Sequence, residues 1–242
     1  MTTDVAWLVE RPIAHRGMHR LTAGIPENSL AAFEAAVAAV TPIELDVQQL
    51  GDGTIVVFHD DDLARACGVP RSLSAASQSS IQSCRLFGTD QRIPLFAEVL
   101  QLVDGRVPLL VEIKNPRGEL RIARAVHEHL QRYTGPYAVQ SFDPVCLGWF
   151  ARHAHHVPRG QLGGPLLDDS VGPIKRVASR LLLTSAISWP QFVNYDLRAL
   201  PDRWVNGLAR WMNVPLLCWT VRTAADRAKA EALGVNYVFD PH

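Results

Sequence analysis

The chain has 242 residues, 48% of them hydrophobic, enough for one large α/β domain or two small ones. Its 24 Lys and Arg balance 24 Asp and Glu, so bulk charge does not suggest nucleic acid or an anionic membrane as a partner, although a local basic pocket is compatible with it. No apolar run is long enough for a membrane span, and the first eleven residues, with Asp4 and Glu10, do not read as a signal peptide.

In chain order, a strand is expected at 12–16, followed by a helix on the stripe Leu30, Phe33, Val37 and Val40. Asn28, in Pro26-Glu27-Asn28-Ser29, reads as the cap of that helix. A strand at 43–50 meets Gly51-Asp52-Gly53, a hairpin signal, and an extra strand at 54–59 returns along it. After Pro94 comes a helix on Phe96, Val99, Leu100 and Val103, then strands at 109–114 and 137–141. Asp143-Pro144 opens the next helix, and a strand follows at 159–162. A poorly marked helix leads to a strand expected at 181–186. Strands at 216–221 and 236–239 flank a helix opened by Thr223 and Asp226. Eight near-continuous apolar strands alternating with helices point to a (β/α)8 TIM barrel, with an extra β-hairpin after the second strand. A single domain over residues 1–242 is expected, and a doubly wound open sheet is the alternative.

Polar groups gather where those strands end. His15 and Arg16 close the first strand, Glu44 and Asp46 lie in the second, His59 ends the hairpin strand, and Glu112 and Lys114 close a later one. Residues i and i+2 of a strand share a face, so Glu44 projects with Asp46 and Glu112 with Lys114. Three carboxylates around one spot repel unless a cation neutralises them, and oxygen ligands suit a hard ion such as Mg²⁺ or Ca²⁺. Arg16 and Lys114 would meet a phosphate or neutralise those carboxylates. His15 and His59 have the chemistry of a general acid and base. His127, His129, His153, His155 and His156 read as solvated helix faces, and His19 and His242 offer no context. The ring of Trp219 would flank a substrate or fill the barrel. The scattered cysteines Cys67, Cys84, Cys146 and Cys218 contain no Cys-x-x-Cys pair and read as free thiols in a reducing cytoplasm.

His15-Arg16-Gly17, Pro26-Glu27-Asn28-Ser29, Glu44-Leu45-Asp46 and Phe58-His59-Asp60 together resemble the glycerophosphodiester phosphodiesterase signature. The resemblance continues in order through Ile93-Pro94-Leu95, Val111-Glu112-Ile113-Lys114, Ser141-Phe142-Asp143-Pro144 and Cys218-Trp219-Thr220-Val221. It implies a phosphoric diester hydrolase that releases glycerol 3-phosphate and an alcohol from glycerophosphodiesters, in lipid and glycerol metabolism. By the same resemblance, His15 and His59 are the acid/base pair, Glu44, Asp46 and Glu112 hold one divalent cation (Mg²⁺ or Ca²⁺, with Mn²⁺ an alternative), and Arg16 and Lys114 meet the phosphate. Glu27 and Asn28 belong to the motif. Gln140, more polar than the pattern expects, and Trp219 are expected to bear on substrate choice. The expected partner is a small-molecule substrate, with no nucleic acid and no stable membrane insertion; a homo-oligomer is left open. The alternatives are a lysophospholipase D or sphingomyelinase D-like enzyme on the same barrel, and a non-catalytic phosphodiester-binding protein.

Overall fold

The structure, a computed structural model, describes residues 5–165 and 172–241. Its strands are β1 (Ile13–Ala14), β2 (Ile43–Gln49), β3 (Ile55–Val57), β4 (Leu109–Ile113), β5 (Tyr137–Ser141), β6 (Arg159–Gly163), β7 (Phe192–Asp196), β8 (Leu216–Val221) and β9 (Asn236–Phe239). Its helices are α1 (Trp7–Glu10), α2 (Leu30–Ala38), α3 (Ala64–Cys67), α4 (Gln78–Ile81), α5 (Phe96–Val103) and α6 (Leu120–Leu130). They continue with α7 (Pro144–His153), α8 (Pro173–Arg180), α9 (Ser185–Ser188), α10 (Arg203–Met212) and α11 (Ala224–Leu233). The chain divides into two compact units. One holds residues 14–137 with 240–241; the other holds 5–13, 138–165 and 172–239.

In the first unit β2 runs parallel to both β1 and β4, with Ala14 opposite Ile43 and Asp46 opposite Glu112. β3 returns antiparallel along β2, pairing Val47 with Val57 and Gln49 with Ile55, so the Asp-Gly turn makes the expected hairpin. Every residue of β2 and β4 is buried, as in strands covered on both faces. The expected stripe of α5 is buried in full, Phe96, Val99, Leu100 and Val103. Helix α2 departs from its stripe: it buries Ala32, Phe33 and Ala36, while Val40 lies beyond its end and exposed. Its cap is Ser29, whose hydroxyl accepts the Ala32 N–H, and not Asn28. Asn28 takes φ 53°, which turns its amide away to Asp46.

In the second unit β5 through β9 pair in parallel, each with the next in sequence. Asp143 caps α7 with Pro144 in the first turn, and Thr223 and Asp226 form the capping box of α11. The expected strand at 181–186 is absent. Leu182 sits buried in a turn at φ 52°, α9 follows, and the strand is β7, ten residues later. A short apolar run fits a packed turn as well as a strand, whereas Asn194 and Asp196 masked the true strand by interrupting its apolar pattern. The poorly marked helix exists as α8; residues 166–171 of that connection lie outside the described residues.

Candidate active site

All seven residues with expected acid/base, metal or phosphate roles fall in the first unit. His15 and Arg16 follow β1, Glu44 and Asp46 stand on β2, His59 follows β3, and Glu112 and Lys114 lie in and just after β4. The turn after β1 is set by packing. Gly17 takes φ 81°, and a Cβ there would lie 2.9 Å from the Ala32 carbonyl, so only glycine lets this turn sit on α2. Arg16, at φ 56°, aims its own N–H at Glu44 Oε2, 3.1 Å away. The parallel register sets Asp46 beside Glu112, and a ligand oxygen from each of Glu44, Asp46 and Glu112 lies within 4.8 Å of the others.

The charges around this cluster are unequally paired. Lys114 Nζ lies 2.7 Å from Glu112 Oε1 and 3.2 Å from Asp46 Oδ1. Arg16 Nε lies 3.3 Å from Asp46 Oδ2, and its Nη1 donates to Glu27 Oε1 at 2.7 Å. Asn28 Nδ2 also donates to Asp46 Oδ2, at 2.8 Å. Burial pushes the Asp46 carboxyl up, but Lys114, Arg16 and the two histidines outweigh it and hold it below the ordinary range. Glu44 goes the other way. Burial first, then the neighbouring Asp46 and Glu112, raise it well above the usual carboxylate range, and only Arg16 opposes them. Lys114 is raised: burial alone would lower it, but Glu112 and Asp46 prevail.

Both histidines are held by aspartates. His15 Nδ1 lies 2.5 Å from Asp240 Oδ1, and His59 Nδ1 lies 2.7 Å from Asp60 Oδ1. An imidazole whose Nδ1–H donates to a carboxylate presents Nε2 for proton transfer. Burial lowers the His59 pKa below 6.5; Asp46 opposes this, while Lys114 and Arg16 reinforce it. Asp60 is in turn gripped by Arg65, whose Nε donates at 2.6 Å while its Nη2 reaches Glu27 at 2.7 Å.

Sequence reading missed several of these partners. Gln48 shares the face of Glu44 and Asp46, and its Nε2 donates to the carbonyls of Phe58, His59 and Asp60, pinning the His59 loop to β2. The alternation Glu44, Asp46, Gln48 was the available signal. Asp240 had no local signal, because 225 residues separate it from His15. His19, read as lacking context, brings Nε2 within 3.9 Å of Asp240. His127 is buried in α6 instead of lying on a solvated face. Gln140 and Trp219 belong to the second unit: Asn194 Nδ2 donates to Gln140 Oε1 at 3.0 Å, and Trp219 Nε1 donates to the Asn194 carbonyl at 3.2 Å.

The sequence model of the Glycerophosphoryl diester phosphodiesterase family matches residues 15–240. The chain belongs to that family. Its relatives include YhdW of Bacillus subtilis, a protein given a glycerophosphodiester phosphodiesterase name, 28% identical over 93% of this chain and 91% of its own. The human lysophospholipase D GDPD1 is 34% identical over a shorter stretch, 44% of this chain and 37% of that protein. Among solved structures, an Oleispira antarctica phosphodiesterase in complex with the product sn-glycerol-3-phosphate aligns with a TM-score of 0.79. It is 21% identical, and the alignment covers 96% of this chain and 93% of that one. This family member is a phosphodiester hydrolase with a (β/α)8 barrel, as expected, and not an open sheet. Among the described residues no helix is long and apolar enough to cross a membrane.

Proposed function

We propose that the chain hydrolyses glycerophosphodiesters to glycerol 3-phosphate and an alcohol, with one divalent cation held by Glu44, Asp46 and Glu112. The observation that carries this is the buried three-carboxylate cluster bordered by two aspartate-held histidines. The donor set fits the ion. It offers oxygen only, and the repulsion that Arg16 only partly offsets at Glu44 is what a hard cation removes. A bound divalent cation supplies neutralisation of charge on a non-bridging phosphate oxygen.

The chain's own residues do the rest. Arg16 and Lys114, already against the carboxylates, offer N–H groups to the phosphate and stabilise the negative charge that grows on its oxygens. His59, lowered by burial, is neutral near pH 7 and accepts a proton at Nε2 from the attacking hydroxyl. His15, steadied by Asp240, donates a proton to the departing alkoxide. The attacking hydroxyl belongs to water or to the glycerol 2-position of the substrate, and a cyclic phosphate in the quenched reaction distinguishes the second. Gln140 and Trp219, tied through Asn194, bear on the choice of alcohol. The family match runs through both units, which supports one catalytic domain, and the four free cysteines fit a cytoplasmic setting.

The test is release of glycerol 3-phosphate from a panel of glycerophosphodiesters, with Mg²⁺, Ca²⁺ and Mn²⁺ supplied in turn. Metal-dependent release is expected; no release with any substrate and ion overturns the reading. Lysophosphatidylcholine belongs in the panel, because the human relative's name favours a lysophospholipase D as the second reading.

A further inference from the structure

The second unit carries a groove that the hydrolytic reaction does not use. It lies between the α8–α9 connection and α10, against the amino ends of β6 and β7, and encloses about 590 Å³. Its walls are apolar: Leu181, Leu183, Trp189, Trp204, Leu208 and Trp211 dominate them. Trp204, Leu208 and Trp211 follow an i, i+4, i+7 spacing on α10, so one helix face supplies a continuous wall. Trp189, Trp204 and Trp211 are 69%, 53% and 82% exposed, an unusual outlay of large rings to water.

One charged residue lines this groove, Arg159 at the first position of β6, and it is 8% exposed. Its Nε donates to the Ser188 carbonyl at 3.0 Å and its Nη1 to Gln191 Oε1 at 3.2 Å, both neutral oxygens. Among the described residues Nη2 has no hydrogen-bond partner and no carboxylate pairs with the guanidinium. Burial accordingly lowers its pKa, with no counter-charge to restore it. A buried cation without an anion is costly, and an apolar groove opening onto it favours a ligand that brings both an anion and a chain.

We propose that this groove binds a single-chain amphiphile with a carboxylate head, a long-chain fatty acid, with the head at Arg159 and the chain along Leu208 and the tryptophans. A monoanion balances the one guanidinium and leaves no net buried charge; a phosphate monoester, carrying close to two negative charges, leaves an excess. The tryptophans shield the chain from water and report its arrival.

The experiment titrates the full-length protein with dodecanoate, dodecyl phosphate and dodecanol below micellar concentrations, reading tryptophan emission. Saturable binding of one dodecanoate per chain is expected, about tenfold tighter than dodecanol, the usual worth of a hydrogen bond to a charged group. Dodecyl phosphate should bind more weakly than dodecanoate. Arg159→Met should bind dodecanoate and dodecanol alike while still releasing glycerol 3-phosphate, and Arg159→Lys should keep part of the preference. The wild-type series tests the idea even if Arg159→Met does not fold, and Trp211→Ala, at an exposed site, should weaken every chain. Dodecanol binding as tightly as dodecanoate overturns the proposal. So does tighter binding of dodecyl phosphate, or a preference that survives Arg159→Met. Self-association that hides the tryptophans without ligand, seen by sedimentation, assigns the groove to a second copy and also overturns it.

Discussion

The strands of the two units differ in where they bury charge. In the first, β2 and β4 bury Glu44, Asp46 and Glu112, charged groups that need cations from outside their own strands. In the second, the inner positions of β5, β6 and β7 bury the neutral amides Gln140, Gln161 and Asn194, of which Gln140 and Asn194 satisfy each other directly, and buried charge is confined to strand ends, at Arg159 and Asp196. A buried amide needs only a hydrogen-bond partner, whereas a buried carboxylate needs countercharge. The contrast teaches that chemistry is concentrated where the fold accepts unresolved charge. In the first unit Glu44 is that point, because Lys114 and Arg16 lean towards Asp46 and Glu112.

The largest expected effects come from breaking the charged side. His15→Ala and His59→Ala should each lower kcat by ~10²–10⁴-fold with the far-ultraviolet circular dichroism unchanged. Near-normal turnover in both variants would remove the acid/base assignment. Chelation should abolish turnover reversibly, with recovery on adding a divalent cation; full activity after exhaustive chelation would take the ion out of the mechanism.

Stability should report the same strain. The raised folded-state pKa of Glu44 means the native protein holds a proton that the unfolded chain releases near its ordinary pKa. Metal-free protein should therefore be most stable at acid pH with respect to this group, and lose that share as pH rises from the ordinary Glu pKa through the raised one. Added divalent cation should reverse the loss, and Glu44→Gln should abolish the dependence while raising the metal-free melting temperature. A melting temperature unaffected by either change would show that Glu44 is not strained.

Smaller effects test the supports. Asp240→Asn should cost about 10- to 100-fold in kcat, typical of a partner that orients an imidazole, with KM little changed. With His59 as the base, the acidic limb of kcat/KM should fall below pH 6.5, and a limb at higher pH would reassign the base. On the neutral side, Gln140→Leu should change the ranking of leaving alcohols by less than about tenfold, near the worth of one neutral hydrogen bond. An unchanged ranking would detach the amide chain from specificity.

Much of this was legible in one dimension. The β2–β3 hairpin was visible because an Asp-Gly turn has its own local conformational preference, and α7 and α11 opened where their caps said they would. The seven charged and imidazole residues of the site could be read because they interrupt apolar strand ends. The misreadings share a cause. Asn28 looked like a cap and Leu182 like strand because local preference was the only guide, and in both cases contacts distant in sequence prevailed. Gln48 was overlooked because its task, holding three carbonyls across the hairpin, involves no chemistry of its own.

By itself, then, the sequence determined the alternation of strands and helices, the inventory of carboxylates, cations and imidazoles, and the family. These depend on periodicity and on residue type, which are properties of short windows. Only the tertiary structure decided which buried carboxylate has no salt bridge among the described residues, which aspartate steadies each histidine, and that no described carboxylate pairs with the buried Arg159. Those are matters of distance between residues up to 225 positions apart, and charge pairing depends on that distance alone.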